Sequence, residues 1–197
     1  TISENTADFG GGIYIRDNSN PTLIDVTISG NSADWGGGMR LISSDPTLTD
    51  VIISGNSAEN AGGGMYIKNS NPTLTYVIIS ENSADNSGGG MYLEFSNPTL
   101  THVTISENTS DAWSGGMRLN SSDPTLTDVI ISGNSANNGG GIGLHNSNPT
   151  LTDVIVTYNT ALSKGGGIYC MSNAPFTSNS SLNDLLIANN NSIGHGG

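Results

Sequence analysis

A unit of about 26 residues recurs along the whole chain, and a fixed period of that size restricts it to a stack of repeats. All seven prolines keep one register: Pro21, Pro46, Pro72, Pro98, Pro124, Pro149 and Pro175, at steps of 25 or 26 residues. Glycine clusters ending at Gly12, Gly38, Gly64, Gly90, Gly116, Gly141 and Gly167 keep the same step. So do Asn5, Asn31, Asn56, Asn82, Asn108, Asn134 and Asn159. A single solenoid domain over 1–197, about seven to eight coils long, is expected. Its last coil, 175–197, reads as irregular, because Pro175 to Asn189 is a step of 14 residues where the other coils use 10.

The unit Asp45–Ser70, DPTLTDVIISGNSAENAGGGMYIKNS, holds three short runs of strand-forming residues. Thr47-Leu48-Thr49 alternates polar and apolar, Val51-Ile52-Ile53 resumes after a one-residue shift at Asp50, and Met65-Tyr66-Ile67 alternates again. Asp-Pro, Gly-Asn and Gly-Gly-Gly punctuate them, and no 3.6-residue apolar period competes. Three such strands cannot bury themselves; stacked on the next coil, each pairs in parallel about 4.8 Å away. The expected fold class is all-β, a parallel β-helix with three short strands per coil.

Aligned coils yield four inward columns. They run from Leu23 to Leu151, from Val26 to Val154, from Ile28 to Val156, and from Ile15 through Leu41, Ile67, Leu93, Leu119 and Leu144 to Cys170. Cys170 is thereby expected to be a buried structural thiol, and one cysteine leaves no internal disulfide. The recurring Asn reads as a ladder of stacked amides at a bend, a place where Asn tolerates the left-handed conformation. The glycine triplets read as tight turns where a Cβ would clash. A strand follows each of them rather than a helix, which argues against a phosphate cradle.

In most coils, Gly-Gly-Gly-Ile or Gly-Gly-Gly-Met is paired with Ile-Ser-Gly-Asn or Ile-Ser-Glu-Asn. This pairing resembles the repeats of chlamydial polymorphic outer-membrane proteins and related bacterial surface proteins, in which a Gly-Gly-apolar element accompanies Phe-x-x-Asn. Ile28 to Asn31 and Ile53 to Asn56 match with Ile in place of Phe. The resemblance implies a right-handed coil, an extracellular or cell-surface location, and roles in adhesion, scaffolding or carriage of other domains.

Charge narrows the partners. Seventeen acidic residues face five basic ones, for a net charge of -12. Phosphate-backbone recognition needs a basic footprint, so nucleic acid is not expected as a partner. No run approaches 18 apolar residues, so no helical membrane span is expected. The chain opens inside a unit at Thr1 and closes inside a glycine cluster at His195-Gly196-Gly197. The expected partners are further coils, through self-association of open coil ends or continuation of a longer chain, and a glycan or host-surface ligand.

Function must come from the outward columns. Asp8, Asp34, Glu59, Asp85 and Asp111 recur just after the Asn bend, in exposed loops that stack like charges; carboxylates there are the candidate Ca²⁺ ligands, the one cofactor considered. Thr47 and Thr49, Thr73 and Thr75, Thr99 and Thr101, Thr125 and Thr127, and Thr150 and Thr152 flank the inward Leu. This two-wide array resembles the face of ice-binding solenoids, although Thr is also a good exposed strand residue. Tyr14, Arg40, Tyr66, Tyr92 and Arg118 form an aromatic and basic column, with Trp35 and Trp113 nearby. Exposed Tyr and Trp beside Arg suit a glycan or a protein partner. Trp35 to Arg40 and Trp113 to Arg118 are near copies 78 residues apart. His102, His145 and His195 fall in unrelated positions, and no carboxylate pair stands out for glycoside hydrolysis. The expectation is a non-enzymatic extracellular structural or adhesive module, able to stack end to end; an ice-binding or glycan-binding solenoid is the alternative.

Overall fold

The computed structural model describes residues 1–172 and 181–194. Pro175, His195, Gly196, Gly197 and the first part of the long final segment lie outside them. Pairing between coils is parallel, in three sheets. The longest sheet takes two segments from each coil, Thr47–Thr49 and Ile52–Ser54 in the type unit. Asp50 between them has φ 53°. This left-handed residue is the physical form of the one-residue shift: it turns the chain so that Leu48 and Val51 both point inward, where each is fully buried. A second, seven-stranded sheet contains Met65–Lys68 and its counterparts.

The third sheet, eight-stranded among the described residues, is built from the segment just after the Asn, Ser57–Ala61 in the type unit. From the residues a bend and loops are expected here, with the two segments of the long sheet counted as separate strands. The strand was hidden because its inward residues are small: Ala33, Ala58, Ala84, Ser110, Ala136 and Ala161. Asp8, Asp34, Glu59 and Asp111 of the acidic column therefore sit on strand backbone, and Asp85 directly follows its strand.

The four inward columns are buried from Leu41 and Leu48 onward, and Met39, Met65, Met91, Met117 and Ile142 add a fifth. Cys170 is a correction. It pairs with Leu144 in the predicted column, yet it is exposed. Its strand, Ile168–Met171, is the outermost of the seven-stranded sheet, with no described strand on its far side. Partial burial still pushes its thiol pKa up, opposite to an activated nucleophile.

Two polar ladders close the corners. Each Asn donates both its backbone N–H and its Nδ2 to Oδ1 of the Asn one coil on; for Asn82 to Asn108 both distances are 3.0 Å. Nδ2 also reaches a main-chain carbonyl of the preceding coil, as Asn82 to Ile53 at 2.9 Å. The ladder ends on Asn190, which accepts from Asn159. It thus passes over Asn189, the residue that ends the 14-residue step counted above; Asn189 has φ 55°. A serine ladder, missed from the sequence, runs down a second corner: Ser44, Ser70, Ser96 and Ser122 each donate N–H to Oγ of the next coil's Ser at 3.0 to 3.1 Å.

The triplets turn out to be only one-third turn. Gly62 has φ 70°, but a Cβ on Gly63 would sit 2.2 Å from the Ser83 carbonyl oxygen of the next coil, and one on Gly64 would sit 2.6 Å from that of Gly90 and 3.0 Å from Asn82 Nδ2. The second and third glycines are set by how closely coils approach, not by the turn.

Candidate functional site

Alternation along the seven-stranded sheet sends Tyr14, Arg40, Tyr66, Tyr92, Arg118, Gly143 and Tyr169 outward in one continuous register. Beside it runs a second outward column that includes Arg16, Lys68, Glu94, Asn120 and His145. Across the glycines, the last positions of the eight-stranded sheet form a third ladder: Phe9, Trp35, Ala61, Ser87, Trp113, Asn138 and Lys164. Its rings lean over the arginine column and produce an aromatic and arginine strip along the rod.

The two arginines are held differently. The Arg40 guanidinium lies 4.0 Å from the Phe9 ring centre, 5.3 Å from Tyr14 and 5.4 Å from Tyr66. Trp35 meets Tyr66 edge-on at 5.2 Å, and Tyr66 stacks on Tyr92 at 5.4 Å with rings 3° from parallel. Arg118 lies 5.1 Å from Trp113, which stacks on Tyr169 at 6.0 Å. Where the first block has Tyr66, the second has Gly143. A Cβ on Gly143 would fall 2.1 Å from Ser114 Oγ and 3.0 Å from Arg118 Nη1, so these two groups fill the space of the missing side chain.

The column was expected to be exposed, and this is corrected for two members. Tyr66 is 3% and Arg118 7% accessible, because rings at strand spacing cover one another and the tryptophan ladder roofs them. Tyr14 is exposed, and Arg40, Tyr92, Tyr169, Trp35 and Trp113 are half-buried. Burial raises the pKa of Tyr66, helped by its hydroxyl donating to Glu94 Oε2, and raises that of Tyr92. Burial also lowers the pKa of Arg118, and burial with the Arg118 charge lowers that of His145. Arg40 Nε, Arg118 Nη1 and Ser114 Oγ are buried without a hydrogen-bond partner.

Residues 1–84 and 59–196 match the family described as the right-handed beta helix region. The chain belongs to this family. No curated protein and no solved structure matches it.

The other outward columns of this right-handed β-helix are regular but make no comparable enclosure. Asp8, Asp34, Glu59 and Asp111 lie within strands of the eight-stranded sheet, and Asp85 directly follows Ser83–Ala84. Among the described residues, no group of three or more His, Cys, Asp or Glu is arranged to hold a metal ion. A shallow cavity of about 300 Å³ on this face is lined by Thr109, Asp111, Ser135, Asn137, Thr160 and Leu162, with a single carboxylate. Adding a chelator is expected to leave the melting temperature unchanged. A fall on chelation, reversed by Ca²⁺ and reduced in Asp85→Asn, would restore the metal reading.

The ten threonines form two columns in register. Thr47, Thr73, Thr99, Thr125 and Thr150 are exposed; Thr49, Thr75, Thr101, Thr127 and Thr152 are half-buried. On the same face Ile52, Ile78, Ile130 and Ile155 are exposed, each beyond a left-handed residue. Tyr76 is one of those left-handed residues and His102 holds the same position in the next coil; their rings stack at 4.9 Å, and His102 approaches Asp128 at 3.6 Å.

Proposed function

We propose that this β-helix is a non-enzymatic structural and adhesive module displayed outside the cell, a rigid rod whose aromatic and arginine strip contacts a glycan. The observation that carries the reading is the strip itself: stacked rings and guanidinium groups held on strand backbone and locked by packing before any ligand arrives. Side chains fixed in this way lose little freedom on binding. Display outside the cell is supported by the resemblance of the repeat pattern to bacterial surface-protein repeats. The stacking surface is the same at every coil, so a further coil of the same chain or of a second copy would join by the same pairing, which supports an extendable rod.

Both tryptophans of the chain, Trp35 and Trp113, belong to the strip, so intrinsic fluorescence reports on it directly. Titration with a panel of soluble polysaccharides is expected to give a saturable spectral shift with at least one of them, weakened in Trp35→Ala. Silence across the panel would overturn the adhesive reading. Shortened or unsaturated saccharide products would overturn the non-enzymatic one.

A further inference from the structure

The second segment that each coil gives to the longest sheet, Ile52–Ser54 in the type unit, turns its first side chain outward beside the buried Ile53. In register, these outward residues are Ile52, Ile78, Thr104, Ile130, Ile155 and Leu186. Accessibility of the isoleucines and the leucine runs from 37% at Ile155 to 52% at Leu186. At a parallel spacing of about 4.8 Å they make an apolar stripe about 24 Å long. A single exposed apolar side chain needs no explanation, but a contiguous row with polar rims marks an interaction surface.

The rims say what kind of partner fits. Two residues before each stripe residue the chain is left-handed, and this position holds Asp50, Asp128, Asp153 and Asp184, with Tyr76 and His102 in the two coils between. On the opposite rim the left-handed position holds Glu81 and Glu107. All six carboxylates are exposed. None of the five basic residues is nearby in the fold: Arg16, Arg40, Lys68 and Arg118 belong to strands of the seven-stranded sheet and Lys164 to one of the eight-stranded sheet. Among the described residues, the one ion pair on this face joins His102 to Asp128. An apolar row between two rows of carboxylates is complementary to an apolar ridge flanked by cations.

We infer that this stripe is a docking surface for a cationic amphipathic α-helix, its apolar side on the isoleucines and its Lys or Arg side chains on the two rims. The surface lies on a different sheet from the aromatic and arginine strip and is independent of the glycan reading. A helix fits for two reasons. The stripe is a sheet face, whose backbone groups are already paired between coils, so a partner lying on it must satisfy its own backbone internally. A helix turn rises about 5.4 Å, close to the coil spacing, so one apolar residue per turn meets one rung. An extended strand along the rod would repeat on one face at about 6.7 Å and fall out of step. A second copy fits less well, because its matching stripe would bring the same carboxylates against these.

The test is fluorescence anisotropy of dye-labelled synthetic peptides titrated with the full chain. The probe is an amidated Leu and Lys peptide of about 16 residues, the helical length of the stripe, with Leu at helical spacing. One control peptide has the same composition with Leu and Lys alternating; another has Glu for Lys. The probe is expected to bind and to gain helix by circular dichroism, with both controls at least roughly tenfold weaker. Ile78→Lys should weaken the probe by roughly tenfold, since it removes an apolar contact and sets cation against cation. Circular dichroism checks the fold, and Ile130→Lys serves if Ile78→Lys fails to fold. Asp50→Asn, which suits a left-handed position, should weaken binding more than Asp111→Asn, which removes the same charge from another sheet. Equal losses in those two variants would reduce the effect to attraction by net charge and overturn the surface. So would unchanged affinity in Ile78→Lys, or no binding of the probe. Equal binding of the alternating peptide would overturn the helix. Dimers of the free chain by sedimentation, abolished in Ile78→Lys, would assign the stripe to a second copy instead.

Discussion

Asn82→Ala is expected to cost about 4 kcal/mol of folding stability, measured by urea denaturation with the slope unchanged. Asn82 is completely buried. Its Oδ1 accepts from Asn56 N and Asn56 Nδ2 at 2.9 Å each, and its Nδ2 donates to Ile53 O at 2.9 Å and to Asn108 Oδ1 at 3.0 Å. Alanine supplies none of these: the buried Asn56 backbone N–H loses its acceptor, Asn56 Nδ2 keeps only Ile28 O, and the Ile53 carbonyl loses a side-chain donor. Each orphaned group costs about 1–3 kcal/mol. Asn82→Asp should be as harmful near neutral pH, since a carboxylate would face two oxygen acceptors. Its cost has a definite pH sign. The buried site favours the protonated acid, so the folded-state pKa rises above the unfolded one, and stability recovers as pH falls through that raised value. A loss below about 1 kcal/mol in Asn82→Ala would mean that the ladder is filler rather than structure.

The second large effect is expected at Gly89→Ala, about 3 kcal/mol or more. The backbone angle there is one that any residue adopts. The obstacle is the next coil: a Cβ would lie 2.1 Å from the Thr109 carbonyl oxygen and 2.7 Å from that of Gly115. Main chain cannot swing aside as a long side chain does, so two coils must part. Gly55→Ala provides the contrast. Nothing lies within 4 Å of its Cβ position, and its φ of 62° is the only penalty, about 1 kcal/mol. The chain itself shows that this penalty is tolerated, because Glu81 and Glu107 occupy the same register at φ 57° and 56°. Equal losses in the two variants would show that backbone angle, not coil approach, selects the triplet.

The period, the parallel stacking and four of the inward columns were legible because Leu, Val and Ile repeat at fixed offsets from the prolines. The alanine-lined strand was not, since Ala58 and its counterparts carry little apolar signal and the residues around them are polar. The serine ladder was present in the sequence as Ser44, Ser70, Ser96 and Ser122, two residues before each Pro. It escaped notice because Ser in a turn has an ordinary local explanation. Of the strip, the column Tyr14 to Tyr169 was readable from register alone. Its enclosure was not. Whether Arg118 is open or buried depends on Trp113 reaching across a glycine corner and on the side chain missing at Gly143, and both belong to packing between sheets.

The asparagine ladder also gives the rod a direction. In the amide-to-amide bonds, each ladder Asn from Asn5 to Asn159 donates Nδ2 to the Oδ1 of the Asn one coil on, and the run ends on Asn190 as acceptor. The dipoles consequently align rather than cancel, and each bond polarises the next. A coil presented upside down would bring donor against donor. The stack therefore has a plus end and a minus end, like a cytoskeletal filament. A polymer lying along its side, with two unlike ends of its own, would meet different neighbours in its two orientations.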